Sequence, residues 1–377
     1  MRENKESNLI TNIEELILDK YKLKRNIATH ELEYNGAAIT DTDLNTIIVN
    51  CKRHFKRATT QTVGEILYSH FIPHYNPFKD FFDVPPKDYL PVGNIKKLIE
   101  SIETDTPGAE IWITKWLAGL VRSAYYGIHS PLYLILCGGQ NSGKTEFFRR
   151  LLPDVLQCYY AECKFDRGKD DDRLMARKLI ILDDEMAGKT KSEEAQLKAR
   201  TSMQGVTLRL PYGKVDITLN RIAMLCGTTN ETQVLSDPTG NRRLLPINVL
   251  SINHILYNSI NKADLLHECF NLLKSGYIPD LTKDEIALLN ASTENFEVTC
   301  PIEEAIQMLY KHIEPGQTKG ILNLTTTHIM NGINGNTGGQ FITTRKVNAV
   351  MKKLGFDNPK TTVNGLSGRY YTVAMAA

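Results

Sequence analysis

The stretch LYLILCGGQNSGKTEFFRRLLP, residues 132–153, decides the fold of the central part of this chain. Its first six residues are mostly apolar and predict a buried strand, and KTEFFRRLL predicts a helix. The glycine-rich turn between them fills the pattern G-x-x-x-x-G-K-[ST] with Gly138, Gly143, Lys144 and Thr145. A strand, a glycine-rich turn and a helix in this order predict an α/β domain with a loop that holds phosphate groups.

Each part of this loop has a chemical task in phosphate binding. Glycines permit tight turns, so that successive backbone N–H groups can surround a phosphate at the start of a helix. Lys144 is expected to reach the β- and γ-phosphates, and Thr145 to place its hydroxyl on Mg²⁺. We therefore predict ATP and Mg²⁺ as ligands. The residues predicted to hold the nucleotide are Gly138, Gly139, Gln140, Asn141, Ser142, Gly143, Lys144 and Thr145.

Acidic residues follow a second apolar run further along the chain. In KLIILDDEM, four apolar residues lead into Asp183, Asp184 and Glu185. One acid is expected to hold Mg²⁺, and the next to orient or deprotonate the attacking water. Three consecutive acids leave the assignment open. We favour Asp183 for the metal, with Asp184 or Glu185 as the base.

Two further motifs supply an amide and a pair of guanidinium groups. RIAMLCGTTNE is an apolar strand that ends near Asn230, whose amide can hold the attacking water and sense the γ-phosphate. LSDPTGNRRLLPI places Arg242 and Arg243 just before another strand. A guanidinium can reach the γ-phosphate of a neighbouring subunit and stabilise charge in the transition state. The sequence does not choose between the two arginines.

These motifs, in this order, resemble those of superfamily 3 helicases, the AAA+ helicases of small viruses and mobile elements. They are still more similar to those of the virulence-associated protein E family of phage and genomic-island proteins. The resemblance runs from NPFKDFF at residue 76 to PINV at residue 249, and it is carried by GGQNSGKTEFF, KLIILDDEM, LKARTSMQGVTLRLPYGK, RIAMLCGTTNE and DPTGNRRLLPI. The DPTGNRR run is the most specific of these pieces.

The resemblance implies a ring, usually a hexamer, with ATP sites between subunits and DNA in a central channel. It also implies a hairpin that points into the pore, and here VTLRLPYGKVDITLN predicts two strands around a short turn. Lys214 in that turn can follow a phosphate backbone, and Tyr212 can stack against a base. Lys198, Arg200 and Arg209 are expected to add positive charge nearby.

Composition is that of an ordinary globular protein. The chain has 377 residues, of which 42% are hydrophobic and 23% charged. Its net charge is only +2, so any affinity for DNA must come from local basic patches. The seven scattered cysteines predict reduced thiols. No signal peptide and no membrane-spanning run is found, so we expect a soluble, cytoplasmic protein without a membrane partner.

Three parts are expected along the chain. Residues 1–85 are predicted to be mostly helical, with an extended pair around Asn35-Gly36, and HYNPFKDFFDVPPKDYLPVG to be a linker or a segment wrapped on the next domain. Residues 86–285 are predicted to form the ATPase domain. Residues 295–377 predict three helices and a hairpin, which indicates a winged-helix-like domain. Its basic residues, Arg345, Lys346, Lys352, Lys353 and Arg369, can face duplex DNA.

The predicted fold class is therefore α/β, a P-loop AAA+ ATPase core with a helical N-terminal region and a C-terminal winged-helix-like domain. The predicted function is an ATP-dependent DNA helicase, a replication initiator of a phage or mobile element that moves on single-stranded DNA. The alternative is an AAA+ loader or switch that remodels protein or binds origin DNA without unwinding it.

Overall fold

A six-stranded sheet forms the centre of the protein. The computed structural model describes residues 3–34, 36–89, 93–164, 169–186, 199–209, 215–231, 242–293, 296, 301–313, 317, 319–334 and 342–376. The chain divides into two units, residues 1–296 and residues 297–377. The first unit spans both the first and the second predicted domain, so the boundary expected near residue 85 stays a prediction.

The elements of the first unit, in chain order, are α1 (Glu3–Tyr21), β1 (Lys24–Asn26), β2 (Leu32–Tyr34), β3 (Ala37–Ala38), α2 (Asp41–His54), α3 (Thr60–Leu67), β4 (His74–Tyr75), α4 (Pro77–Asp83), α5 (Asn94–Glu100), β5 (Ile102–Thr104), α6 (Ala109–Tyr126), β6 (Tyr133–Cys137), α7 (Lys144–Arg149), a 3₁₀ helix (Asp154–Tyr159), β7 (Tyr160–Glu162), α8 (Lys169–Arg177), β8 (Ile180–Asp183), β9 (Gly205–Arg209), β10 (Asp216–Asn220), β11 (Met224–Thr229), β12 (Leu244–Ile252), α9 (His254–Ser259), α10 (Lys262–Lys274) and α11 (Lys283–Thr293).

The large sheet has the strand order β5-β12-β6-β11-β8-β7. All neighbouring strands are parallel except β5, which runs antiparallel to β12. Every residue of β6, β8 and β11 is buried. Strands covered on both faces read as continuous apolar runs, which is why LYLILC, KLIIL and RIAMLCGTT were recognisable. The strands expected from these apolar runs are confirmed.

Helix α6 provides much of the core on one face of this sheet. Trp112, Trp116 and Leu120 recur along it at helical spacing and are fully buried. Trp116 Nε1 donates to the backbone oxygen of Leu225 in β11, at 2.9 Å. The indole is thereby satisfied inside an apolar layer, and the helix is tied directly to a central strand.

The N-terminal region combines α1, α2 and α3 with a small sheet of order β3-β2-β1-β4. The predicted extended pair is confirmed as β2 and β3. Strands β1 and β4 were not predicted, since each is only two or three residues long. A buried carboxylate joins this region to the large domain: Glu33 Oε1 accepts from Asn26 Nδ2 at 2.8 Å and from the hydroxyl of Tyr159 at 3.4 Å.

The proline- and aromatic-rich segment after residue 73 contains a helix. Asn76 caps α4 by accepting from the backbone N–H groups of Phe78 and Lys79. Phe78 and Phe82 are buried in the core of the large domain. This part of the segment is therefore packed on the next domain, the second of the two expected arrangements.

The second unit contains α12 (Pro301–Leu309), β13 (Tyr310–Lys311), β14 (Ile321–Leu324), α13 (Thr326–Ile333), α14 (Thr344–Lys353), β15 (Lys360–Val363), β16 (Leu366–Arg369) and β17 (Tyr371–Met375). Three strands pair in the order β13-β17-β14, and β15 pairs with β16 around Asn364 and Gly365, which both have positive φ. The three predicted helices and the hairpin are present, and β13, β14 and β17 are additional strands.

No helix in the described part of the chain combines the length and the apolar character needed to cross a membrane.

Candidate nucleotide-binding site

Three polar segments meet at one edge of the large sheet. The glycine-rich loop follows β6, the acids end and follow β8, and Asn230 follows β11. Because β11 lies between β6 and β8 and all three are parallel, their carboxyl ends share an edge. This edge holds a cavity of about 360 Å³ whose lining includes Lys144, Thr145, Asp184, Glu185 and Asn230.

The loop, residues 138–143, has a backbone that requires glycine at two places. Gly138 has φ 142°, and a side chain there would overlap the carbonyl oxygen of Val249 in β12. Gly143 has φ 86° and begins α7. A methyl group on Gly143 would lie 2.5 Å from Cε1 and 2.6 Å from Nε2 of the His254 ring. Both glycines therefore serve close approach as well as backbone conformation.

Lys144 folds back over the loop. Its Nζ donates to the backbone oxygens of Gly138 at 2.9 Å and Gly139 at 2.6 Å, to Ser142 Oγ at 3.0 Å and to Asn230 Oδ1 at 3.3 Å. Burial lowers the pKa of Lys144, and the charges of Cys137 and Asp184 act in the opposite direction. An ammonium group is thus held between the loop and the end of β11.

Thr145 and Asp184 are in direct contact. The Thr145 hydroxyl donates to Asp184 Oδ1 at 3.0 Å, and the Thr228 hydroxyl donates to the same oxygen. Asp184 is half-buried and faces the loop. A hydroxyl and a carboxylate at one spot are oxygen donors of the kind that Mg²⁺ prefers, so this pair fits the metal.

Asp183 lies on the opposite face of the sheet. It is 2% exposed and sits beside the hydroxyl of Tyr133, whose pKa is raised well above its ordinary range by burial and by the charge of Asp183. Successive side chains of a strand point to opposite faces, so only one of two adjacent acids can face Thr145. The geometry favours Asp184 over Asp183 as the residue next to the loop.

The remaining polar residues of this edge are exposed. Glu185 has φ 57°, an unusual conformation for a non-glycine residue, and its side chain lines the cavity. It also lines a second, larger cavity of about 720 Å³, together with Arg173 and Arg177 of α8. Asn230 is exposed and is joined to the loop through Lys144.

Arg242 and Arg243 lie at the other edge of the sheet. The Tyr133 N–H, at the start of β6, donates to the backbone oxygen of Arg243 at 2.8 Å. The Arg243 side chain donates to Ser202, and Arg242 is exposed. A five-residue strand, roughly 16 Å long, separates this edge from the loop. Neither arginine therefore approaches the loop of its own chain.

The predicted hairpin is present as β9 and β10, with Arg209 opposite Asp216 and Gly205 opposite Asn220. Arg209 Nε contacts Asp216 Oδ1 at 3.2 Å, and both side chains are exposed. Tyr212, Lys214 and Lys198 lie outside the described residues, so their predicted roles stay predictions.

Two residues of this edge were not assigned a role from the sequence. Thr228 precedes the predicted Asn230 by two positions, and its strand-end position is a usable signal. His254 contacts Gly143 although more than 100 residues separate them in the chain. Nothing local in the sequence indicates that contact.

The fold and the site define a class: an α/β protein with a large, mostly parallel sheet whose glycine-rich loop, acids and amide converge at one edge. Residues 93–298 match the virulence-associated protein E-like domain, and the chain belongs to this family. The family expected from the motifs is thus confirmed. No curated protein matches the chain.

Several solved structures are similar to this chain at low sequence identity. The apo C-terminal region of NrS-1 is 12% identical, with a TM-score of 0.54 over 97% of this chain and 98% of that chain. A second apo form of that region gives 13% identity and a TM-score of 0.53, over 97% and 99% of the two chains. SCCmec type IV Cch, described as an active helicase, gives 11% identity and a TM-score of 0.42 over 93% and 91%. The two NrS-1 structures indicate a shared architecture with this chain and, at 12–13% identity, nothing about chemistry.

Proposed function

We propose that this protein is a Mg²⁺-dependent ATPase that binds ATP at residues 138–145 and uses hydrolysis to move on single-stranded DNA. The observation that carries the first half is the convergence of Lys144, Thr145, Asp184 and Asn230 on one cavity. Binding a triphosphate is the simplest function that uses all of these groups, which are an ammonium, a hydroxyl–carboxylate pair and an amide beside a glycine-rich loop.

The cation and the metal ligands have separate tasks in this proposal. Lys144 exchanges its contacts with the Gly138 and Gly139 carbonyls for phosphate oxygens and neutralises their charge. Thr145 and Asp184 hold Mg²⁺, Asp184 directly or through water. The metal, when bound, stabilises negative charge on the phosphate oxygens. We assign Asp184 rather than Asp183 because only Asp184 faces the Thr145 hydroxyl.

Glu185 and Asn230 act on the attacking water. Glu185 follows Asp184 directly and lines the same cavity, so its carboxylate can take the proton of a water aimed at the γ-phosphorus. Asn230 supplies an amide that orients this water and senses the γ-phosphate. Its Oδ1 accepts a hydrogen bond from Lys144 Nζ, which links it to the loop.

Arg242 or Arg243 completes the site of a neighbouring subunit. Both lie at the sheet edge opposite to the loop, which is consistent with action between chains and not within one. This arrangement requires a ring, and the resemblance to superfamily 3 helicases favours a hexamer. In such a ring the β9–β10 hairpin, with Lys214 and Tyr212 in its turn, contacts DNA in the channel.

The finer architecture belongs to the same proposal: a P-loop AAA+ core in the first unit and a winged helix in residues 297–377. Arg345, Lys346 and Lys352 of α14 are exposed and can face duplex phosphates. Lys353 contacts Glu303 Oε2 at 2.8 Å, so its charge is partly neutralised.

The test is ATP turnover with and without single-stranded DNA, with Lys144→Ala as the blank. We expect turnover that DNA stimulates and that Lys144→Ala lowers to background. Absence of turnover in the wild type would overturn the ATPase proposal. Turnover that ignores DNA would keep the ATPase and favour the loader or switch over the motor.

A further inference from the structure

The position of the loop within the sheet determines where the nucleoside end of a bound nucleotide lies. Strand β6 lies between β11 and β12. The acid and the amide, Asp184 and Asn230, lie on the β11 side of the loop. A triphosphate that is cleaved there has its γ end on that side. Its nucleoside end is therefore on the other side of the loop, next to β12.

The residues that follow β12 provide a flat ring and an apolar side chain at that place. The His254 ring lies against Gly143, where a Cβ atom would be 2.5 Å from the ring's Cε1. His254 is exposed, and so is its neighbour Ile255, whose side chain is 86% exposed. An isoleucine left almost wholly in water has no packing role in the described part of the chain.

The position of His254 is set by contacts of α9, not by the ring itself. Asn253 caps α9 by accepting from the Leu256 N–H at 3.1 Å, and its own N–H donates to the Ser101 oxygen at 2.8 Å. Tyr257 donates its hydroxyl proton to the backbone oxygen of Phe147 in α7, at 2.5 Å. The helix that begins at the loop and the helix that carries His254 are thus joined by a direct hydrogen bond.

We propose that His254 stacks on the base of the bound nucleotide and that Ile255 covers an adjacent part of the base or sugar. This inference rests on the proposed ATP site and adds to it a residue that contacts the nucleoside and not the phosphates. Aromatic rings on bases contribute more than a contact of the same area, because the two π faces stack. Stacking needs no particular hydrogen-bonding edge, so His254 supports binding of ATP and GTP alike.

The experiment compares ATP with inorganic tripolyphosphate, which has the phosphates but no nucleoside. Calorimetric titrations in Mg²⁺ are made with the wild type, His254→Ala, His254→Phe and, as the matched control, the exposed histidine variant His54→Ala. We expect His254→Ala to weaken ATP binding about five- to tenfold, the low end of base stacking for an exposed ring. Tripolyphosphate binding stays unchanged, and His254→Phe and His54→Ala bind ATP as the wild type does.

The possible outcomes distinguish a failure of the His254 inference from a failure of the proposed ATP site. If His254→Ala binds ATP as tightly as the wild type, His254 does not contact the base, although the loop still binds phosphate. If it loses ATP and tripolyphosphate equally, His254 acts by shaping the loop, and the inference is again wrong. If the wild type binds neither ligand, the ATP site itself is refuted.

Discussion

Replacing Asp184 by asparagine is expected to lower ATP turnover and leave stability nearly unchanged, whereas replacing the adjacent Asp183 is expected to lower stability and leave turnover nearly unchanged. Asp184 is half-buried and accepts hydroxyl bonds from Thr145 and Thr228 on Oδ1. Asparagine keeps a carbonyl oxygen for those hydroxyls, so Asp184→Asn should cost at most about 1 kcal/mol of folding free energy. It removes the negative charge beside Thr145. We expect a loss of about 100- to 1,000-fold in turnover, equal to about 2.7–4 kcal/mol of transition-state stabilisation.

Asp183→Asn is expected to lower the folding stability while ATP turnover is retained. Asp183 is 2% exposed, beside the Tyr133 hydroxyl and away from the loop. At this buried place the amide also introduces an NH₂ donor that water cannot reach, so the substitution costs about 1.5–3 kcal/mol of folding free energy. For a domain of this size that lowers the melting temperature by roughly 3–10 °C. Below its melting transition, the variant should keep turnover within a few-fold of the wild type.

The assay is steady-state ATP turnover over a Mg²⁺ titration, with a thermal melt of each variant. A shift of the Mg²⁺ dependence in Asp184→Asn, at unchanged melting temperature, would support the assignment. The reasoning is refuted if Asp183→Asn melts like the wild type and loses turnover while Asp184→Asn remains active.

Three further predictions, made on four variants, test other parts of the molecule. Arg242→Ala or Arg243→Ala should be inactive alone but regain ATP turnover when mixed with Lys144→Ala chains. Some interfaces between subunits then combine an intact loop with an intact arginine. No recovery of turnover on mixing would argue against action between subunits. Lys214→Ala should keep ATP turnover but lose most of its stimulation by single-stranded DNA, and normal unwinding of a forked duplex by this variant would contradict the role of the hairpin. Gly138→Ala should destabilise the first unit by about 1–3 kcal/mol in denaturant titrations, since its φ of 142° and the β12 backbone leave no place for a methyl group; a midpoint equal to that of the wild type would show that the loop relaxes freely.

Local chemistry made a large part of this protein readable from the sequence. A glycine-rich loop between a strand and a helix is contiguous in the chain, so the loop at residues 138–145 can be recognised without tertiary information. Buried parallel strands are continuous apolar runs, which located β6, β8 and β11. The extended pair formed by β2 and β3 depends on a few neighbouring residues and was equally visible.

Features that depend on strand order or on several weak contacts were not visible. Two-residue strands such as β4 carry no periodicity, and α4 is held by its buried phenylalanines in a segment that looks like a linker. The sequence could not say which acid after β8 faces the loop. Alternation along a strand shows that adjacent acids face opposite ways, but not which face carries α7.

The sequence by itself determined which residues are candidates for the chemistry: the loop, the acids, the amide and the arginine pair, each next to a strand. The tertiary structure alone decided the geometry. It placed Asp184, and not Asp183, beside Thr145, and it brought Lys144 to Asn230 and His254 to Gly143. It also placed the two arginines at the opposite edge of the sheet. The physical reason is that these relations depend on the order and direction of strands in the sheet, which bring together residues far apart in the chain, and no short stretch of sequence encodes that order.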